Sequence, residues 1–132
     1  MESWKKVWRE GLAPLLSTDG LEALRQALLR DDSRLIQHAT CNPPPADVFQ
    51  EEACEGACAL GYCAWRGDGC ATVGEVEAFF IRTCRIADDT LGEPAACRFF
   101  LNWFDETPRS EMRRQLLQEI NWALNQRYAK AA

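Results

Sequence analysis

The run Pro94-Ala95-Ala96-Cys97-Arg98-Phe99-Phe100-Leu101-Asn102-Trp103-Phe104-Asp105 decides the fold class. Proline at a first-turn position is pre-set for helix entry and gives up no needed donor. Cys97, Phe99, Phe100, Leu101, Trp103 and Phe104 then leave almost no polar face, which predicts a buried helix over 94–105 at the centre of the domain. Before it, Thr72-x-x-Glu75 is a capping-box pattern, and Val73, Val76, Phe79, Phe80, Thr83, Cys84 and Ala87 follow along one side. This predicts a helix over 73–89 that Gly92 ends. After it, Thr107-Pro108 is again a cap followed by proline. Met112, Leu116, Leu117, Ile120, Ala123 and Leu124 carry a last helix to about Tyr128.

The N-terminal part is also helical in pattern. Trp4, Val7, Trp8, Leu12, Leu15 and Leu16 recur at helical spacing, so residues 2–16 read as an amphipathic helix weakened by Gly11 and Pro14. Thr18 or Asp19 is the expected cap of a second helix with Leu21, Leu24 and Leu28 as its stripe. Asp31-Asp32-Ser33 is the expected break before a short helix holding Leu35 and Ile36. Residues 40–71 differ. Pro43-Pro44-Pro45 forces extended chain, and Gly56, Gly61, Gly67 and Gly69 punctuate a segment with Cys41, Cys54, Cys58, Cys63 and Cys70. So long an irregular stretch is expected to be functional or to be held by something other than a local core. A short helix near Asp47–Cys58 is expected within it. The reading is one all-α domain over 1–132, a bundle of five or six helices with an irregular Cys/Gly-rich loop.

With 132 residues, 47% of them hydrophobic, the chain suits a single domain. Fifteen Lys and Arg against twenty Asp and Glu give a net charge of −5, the wrong sign for a chain that neutralises phosphates, so nucleic acid is not the expected partner. Residues 35–97 carry three basic and ten acidic side chains, whereas residues 98–132 carry six and four. Such a polarised surface steers protein partners. No apolar run reaches the length of a bilayer crossing, and Met1–Glu10 lacks the apolar stretch of a signal peptide, so a cytoplasmic protein without membrane contact is expected.

Seven cysteines demand an explanation. One reading is a metal: Cys54-x3-Cys58-x4-Cys63-x6-Cys70 offers four thiolates for zinc or an iron–sulfur cluster, with Cys41 and His38 in reserve, although only the first pair has zinc-knuckle spacing. A labile disulfide among Cys54, Cys58 and Cys63 is a second reading, disfavoured by the odd count. The third treats the thiols as small buried hydrophobes, which suits Cys84 and Cys97 on their apolar stripes. Redox chemistry would need a cysteine beside a cation such as Arg66.

No catalytic signature is present, and the expectation is a protein that is not an enzyme and needs no cofactor. His38 is the only histidine, expected as a helix C-terminal cation. Asp88-Asp89 and Asp105-Glu106 read as solvated helix ends. Trp65-Arg66-Gly67-Asp68-Gly69 reads as a turn that could present an aromatic and a cation together. Trp122 is the informative residue: at about 100° per residue it lies opposite Met112, Leu116, Ile120 and Leu124, among Gln115, Gln118, Glu119 and Gln126. Either the N-terminal helix folds over that second face, or Trp122 anchors a partner. Trp122, Trp8, Trp65 and Arg66 are the candidate partner contacts.

The stretch Leu91–Leu124, with Gly92-Glu93-Pro94-Ala95-Ala96-Cys97 and Leu101-Asn102-Trp103-Phe104-Asp105-Glu106-Thr107-Pro108-Arg109, resembles the small helical accessory proteins that accompany nitrogen-fixation genes. The resemblance covers about a quarter of the chain and transfers no residue roles. It implies a protein that docks on nitrogenase or a related metalloenzyme in its assembly, protection or repair.

Overall fold

The computed structural model describes residues 1–46 and 50–131. The described residues are mostly helical, with one two-stranded ribbon among them. The N-terminal rod runs as α1 (Ser3–Val7), a π-helical turn over Trp8–Leu12 and a 3₁₀ turn over Ala13–Leu15. Gly11 lets this rod approach the C-terminal half of α4 (Val73–Leu91), because a Cβ there would lie 2.7 Å from Leu91 Cδ1. Helix α2 (Thr18–Arg30) is capped by Ser17, whose side chain accepts the Gly20 N–H at 2.8 Å, rather than by Thr18 or Asp19.

No helix forms at Leu35 and Ile36. The chain there is extended and hydrogen-bonds to Ala57 from both sides: Ile36 N–H donates to Ala57 O, and Ala57 N–H to Arg34 O. The strands β1 (Cys41–Asn42) and β2 (Gly56–Ala57) pair antiparallel next to it. Of the helix expected near Asp47–Cys58, Asp47–Phe49 lies outside the described residues and 50–58 is turn and strand, since Gln50, Glu52, Glu55 and Ala57 spend their backbone groups on other segments. The loop is less irregular than its composition suggests. Helix α3 (Ala59–Tyr62) and a π-helical turn over Cys63–Gly67 form a buried rod that crosses α2 so closely that a Cβ on Gly67 would lie 2.3 Å from Gly20 Cα.

The capping box at Thr72 and Glu75 starts α4, and Gly92 ends it with φ +68. Residues 97–104 are π-helical, and the Asp105 N–H donates to Phe100 O five residues back. The wider winding turns Phe99, Phe100, Trp103 and Phe104 inward but leaves Cys97, Leu101 and Asn102 in solvent, Leu101 59% exposed. The segment is central, as the sequence predicts, but it does have an outer face, and Cys97 is on it rather than in the core. Phe99 is the hub, with its ring centroid 4.9–6.3 Å from those of Trp4, Trp8, Phe100, Trp103 and Phe104. Trp4 stacks on Trp103 at 3.6 Å.

Helix α5 (Arg109–Ala131) lies against α2 and the Trp8–Leu12 turn. Its first arginines hold the end of α2 and the chain that follows it: Arg113 donates to Leu28 O in the last turn of α2, while Arg109 donates to Asp32 O and Leu35 O and pairs with Asp31 at 2.7 Å. Asp88 is not a free helix end, because its Oδ1 accepts the Ala95 N–H at 2.6 Å and ties α4 to the next helical segment. Asp105 likewise accepts the His38 N–H, and His38 has φ +72 rather than a place at a helix C-terminus. Among the described residues no helix is long and apolar enough to cross a membrane.

Candidate functional site

The groove around Trp122 is built by α5 and the N-terminal rod. Trp122, Gln126 and Lys130 follow at i, i+4 and i+8, so they share one strip of α5, with Arg127 beside it. The rod does cover part of this face. Arg9 donates to both carboxylate oxygens of Glu119, at 2.6 and 3.0 Å, and its guanidinium lies 4.3 Å from the centre of the Trp122 ring. Glu119 is almost completely buried and Arg9 is part-exposed, so the pair pins the rod to α5 and holds the cation over the indole. Hydrogen bonding to Glu119, opposed by some desolvation, raises the Arg9 pKa above its ordinary value.

The cover is incomplete. Trp122 stays 40% exposed at the edge of a groove of about 400 Å³ lined by Ala13, Pro14, Leu16, Arg127 and Lys130. Arg127 donates to Ala13 O and Thr18 Oγ1, and among the described residues neither it nor Lys130 pairs with a carboxylate. Glu119 balances Arg9 only. A chain of net charge −5 thus presents around an exposed tryptophan two cations with no carboxylate partner among the described residues. Sequence periodicity places Gln126 with Trp122; Lys130 joins them because α5 runs on to Ala131, past the end expected near Tyr128. Arg9 carries no such signal, because it arrives from a distant part of the chain.

The other candidate contacts do not join this groove. Trp8 is fully buried against Phe99 and is corrected to a core residue, since its stripe with Val7 and Leu12 faces the aromatic cluster. Trp65 is half-buried, edge-on to Tyr62, with the guanidinium groups of Arg34 and Arg66 at 5.4 and 5.2 Å from its ring. Arg34 is held by Asp32, which also accepts the Tyr62 hydroxyl at 2.8 Å. The Arg34 guanidinium keeps the Asp32 carboxyl far below the usual carboxylate range, while burial, with the Asp32 bond adding to it, pushes the Tyr62 phenol up to about 12. Arg34 and Arg66 are both exposed here, but Arg34 is held by Asp32, whereas among the described residues Arg66 has no carboxylate partner.

The four cysteines offered as metal ligands are not brought together. Cys54 donates its thiol to Gly56 O, Cys63 packs on Gly20, Cys58 lies in the core and Cys70 is part-exposed near the surface. Among the described residues no three His, Cys, Asp or Glu side chains converge as a metal site, so the zinc or iron–sulfur alternative is corrected. Burial pushes the Cys58 and Cys84 thiols up to about 12 and Cys41 to about 11, which keeps them neutral and unreactive. Cys70 is also shifted up by burial, the wrong direction for a redox thiol. No known protein family, curated protein or solved structure matches this chain.

Proposed function

We propose that the protein is a non-enzymatic accessory factor whose Trp122 groove docks an acidic segment of a larger protein partner. The observation that carries this reading is the half-open indole of Trp122, fixed under Arg9 and flanked by Arg127 and Lys130. Tryptophan and arginine lead the composition of interface hot spots, and a pre-positioned ring loses little conformational freedom on binding. The cations select an acidic partner and accelerate its encounter. The resemblance of residues 91–124 to nitrogen-fixation accessory proteins supports the finer proposal that the partner is a metalloenzyme such as nitrogenase.

Truncation separates the anchor from the fold. Trp122→Ala leaves the Arg9–Glu119 pair in place, so stability is expected to change by less than about 1 kcal/mol, as for a surface site. Affinity for a partner co-purified from the native organism is expected to fall at least about thirtyfold, the loss of a 2 kcal/mol hot spot. Lys130→Glu is expected to slow association and to flatten its salt dependence. Surface-based binding kinetics of the three proteins check both points; an unchanged dissociation constant for Trp122→Ala would overturn the assignment.

A further inference from the structure

A second cavity, of about 220 Å³, shares no lining residue with the Trp122 groove. Phe80 of α4, Ala96 just before the π-helical segment, Cys97, Phe100 and Leu101 within it and the buried Cys58 form its apolar wall. One carboxylate, that of Asp105, also lines it. Asp105 accepts the His38 N–H through Oδ1 at 2.9 Å, while among the described residues its Oδ2 makes no hydrogen bond and no lysine or arginine pairs with it. Arg109, which lines the adjoining surface with Asp105, has its guanidinium committed to Asp31, Asp32 O and Leu35 O. The site therefore combines an apolar body with an unbalanced negative charge. A cavity of about 150 Å³ accepts a benzene ring, and this one is large enough for a ring with a short arm.

We propose that this cavity binds a small organic cation, a primary ammonium carried on an aryl or compact alkyl group, with the apolar body against Phe80, Phe100, Ala96 and Cys58 and the ammonium on Asp105. The Asp105 charge distinguishes this ligand from a neutral apolar one and excludes a carboxylate. An aliphatic side chain of a protein partner is the competing occupant, and it would not need the ammonium.

Benzylamine, benzyl alcohol and benzoate are the probes. Calorimetry on the full chain is expected to give benzylamine a dissociation constant of about 0.1–1 mM, as fragment-sized ligand efficiencies allow. Benzyl alcohol is expected about fivefold weaker, the share of one part-exposed ion pair, and benzoate should not bind. Asp105→Asn keeps an acceptor for the His38 N–H and should abolish the preference of amine over alcohol. Cys97 supplies a second readout, because it is the one exposed cysteine of the seven and it lines the cavity. Saturating benzylamine should slow its alkylation by iodoacetamide severalfold in the wild-type protein and leave Cys70 unaffected. Equal affinity for amine and alcohol, or no protection of Cys97 at 10 mM amine (about tenfold above the weakest expected constant), would overturn the proposal; the first result would leave an apolar side chain as the better occupant.

Discussion

Phe99→Ala is expected to lower the unfolding free energy by about 3–5 kcal/mol, the cost of removing a fully buried aromatic ring. Phe99 is fully buried and touches the rings of Trp4, Trp8, Phe100, Trp103 and Phe104. Those neighbours come from two segments, the N-terminal rod and the π-helical run 97–104. Removing the ring forfeits its transfer free energy and opens a void that large, rigid indoles cannot collapse to fill. For a domain with an ordinary stability of about 5–15 kcal/mol, such a loss approaches unfolding. Chemical denaturation checks it: the midpoint should fall strongly at an unchanged slope. A loss under about 1.5 kcal/mol would mean that the aromatic cluster does not hold the rod to the rest of the fold.

Gly67→Ala is expected to cost about 3 kcal/mol or more, and far more than Gly69→Ala two residues on. A Cβ at position 67 would lie 2.3 Å from Gly20 Cα and 2.6 Å from Gly20 N, and backbone cannot swing aside as a side-chain tip does. Overpacking usually costs about 1–3 kcal/mol, and contact with a helix backbone belongs at or above the top of that range. Gly69 has open space around it and φ +82, so alanine there meets only left-handed backbone strain of about 1–2 kcal/mol. Melting temperatures of the two variants rank the effects. The reverse order would contradict the close crossing of α2 and the Cys63–Gly67 turn.

This pair also shows where sequence reading stopped. Gly67-Asp68-Gly69 is good turn chemistry, and the turn is there, but the demand on Gly67 comes from α2, nearly fifty residues away in sequence, and no local pattern carries it. Signals that act within one turn were legible: the Thr72/Glu75 box, Gly92 and Pro108 all sit at helix boundaries. Helical periodicity also put Trp122 off the main apolar stripe of α5, and it does remain accessible. Over 97–104 the residue types are almost all apolar, so composition marks no outer face, although a 100° step already sets Leu101 apart from Phe99, Phe100, Trp103 and Phe104; the i→i+5 winding turns Cys97 out as well. The loop cysteines misled for another reason. Their spacing suggests ligands, but spacing cannot say that Cys58 and Cys63 enter a buried helical rod or that Cys54 bonds to Gly56. The cationic half of the Trp122 groove was not legible, since Lys130 lies beyond the helix end expected near Tyr128 and Arg9 comes from the other end of the chain.

Site-specific photo-crosslinking in the native organism tests the docking face most directly. Gln126→p-benzoylphenylalanine places the probe on the same strip as Trp122 and Lys130, and Leu101→p-benzoylphenylalanine places it on the exposed face of the π-helical segment, at the second cavity. The expected result is one dominant protein adduct through position 126, with the crosslinked peptide net acidic and the adduct lost when Trp122→Ala is added. Silence at 126 with capture at 101, or a basic peptide crosslinked at 126, would contradict the assignment of the Trp122 groove as the surface that meets an acidic partner.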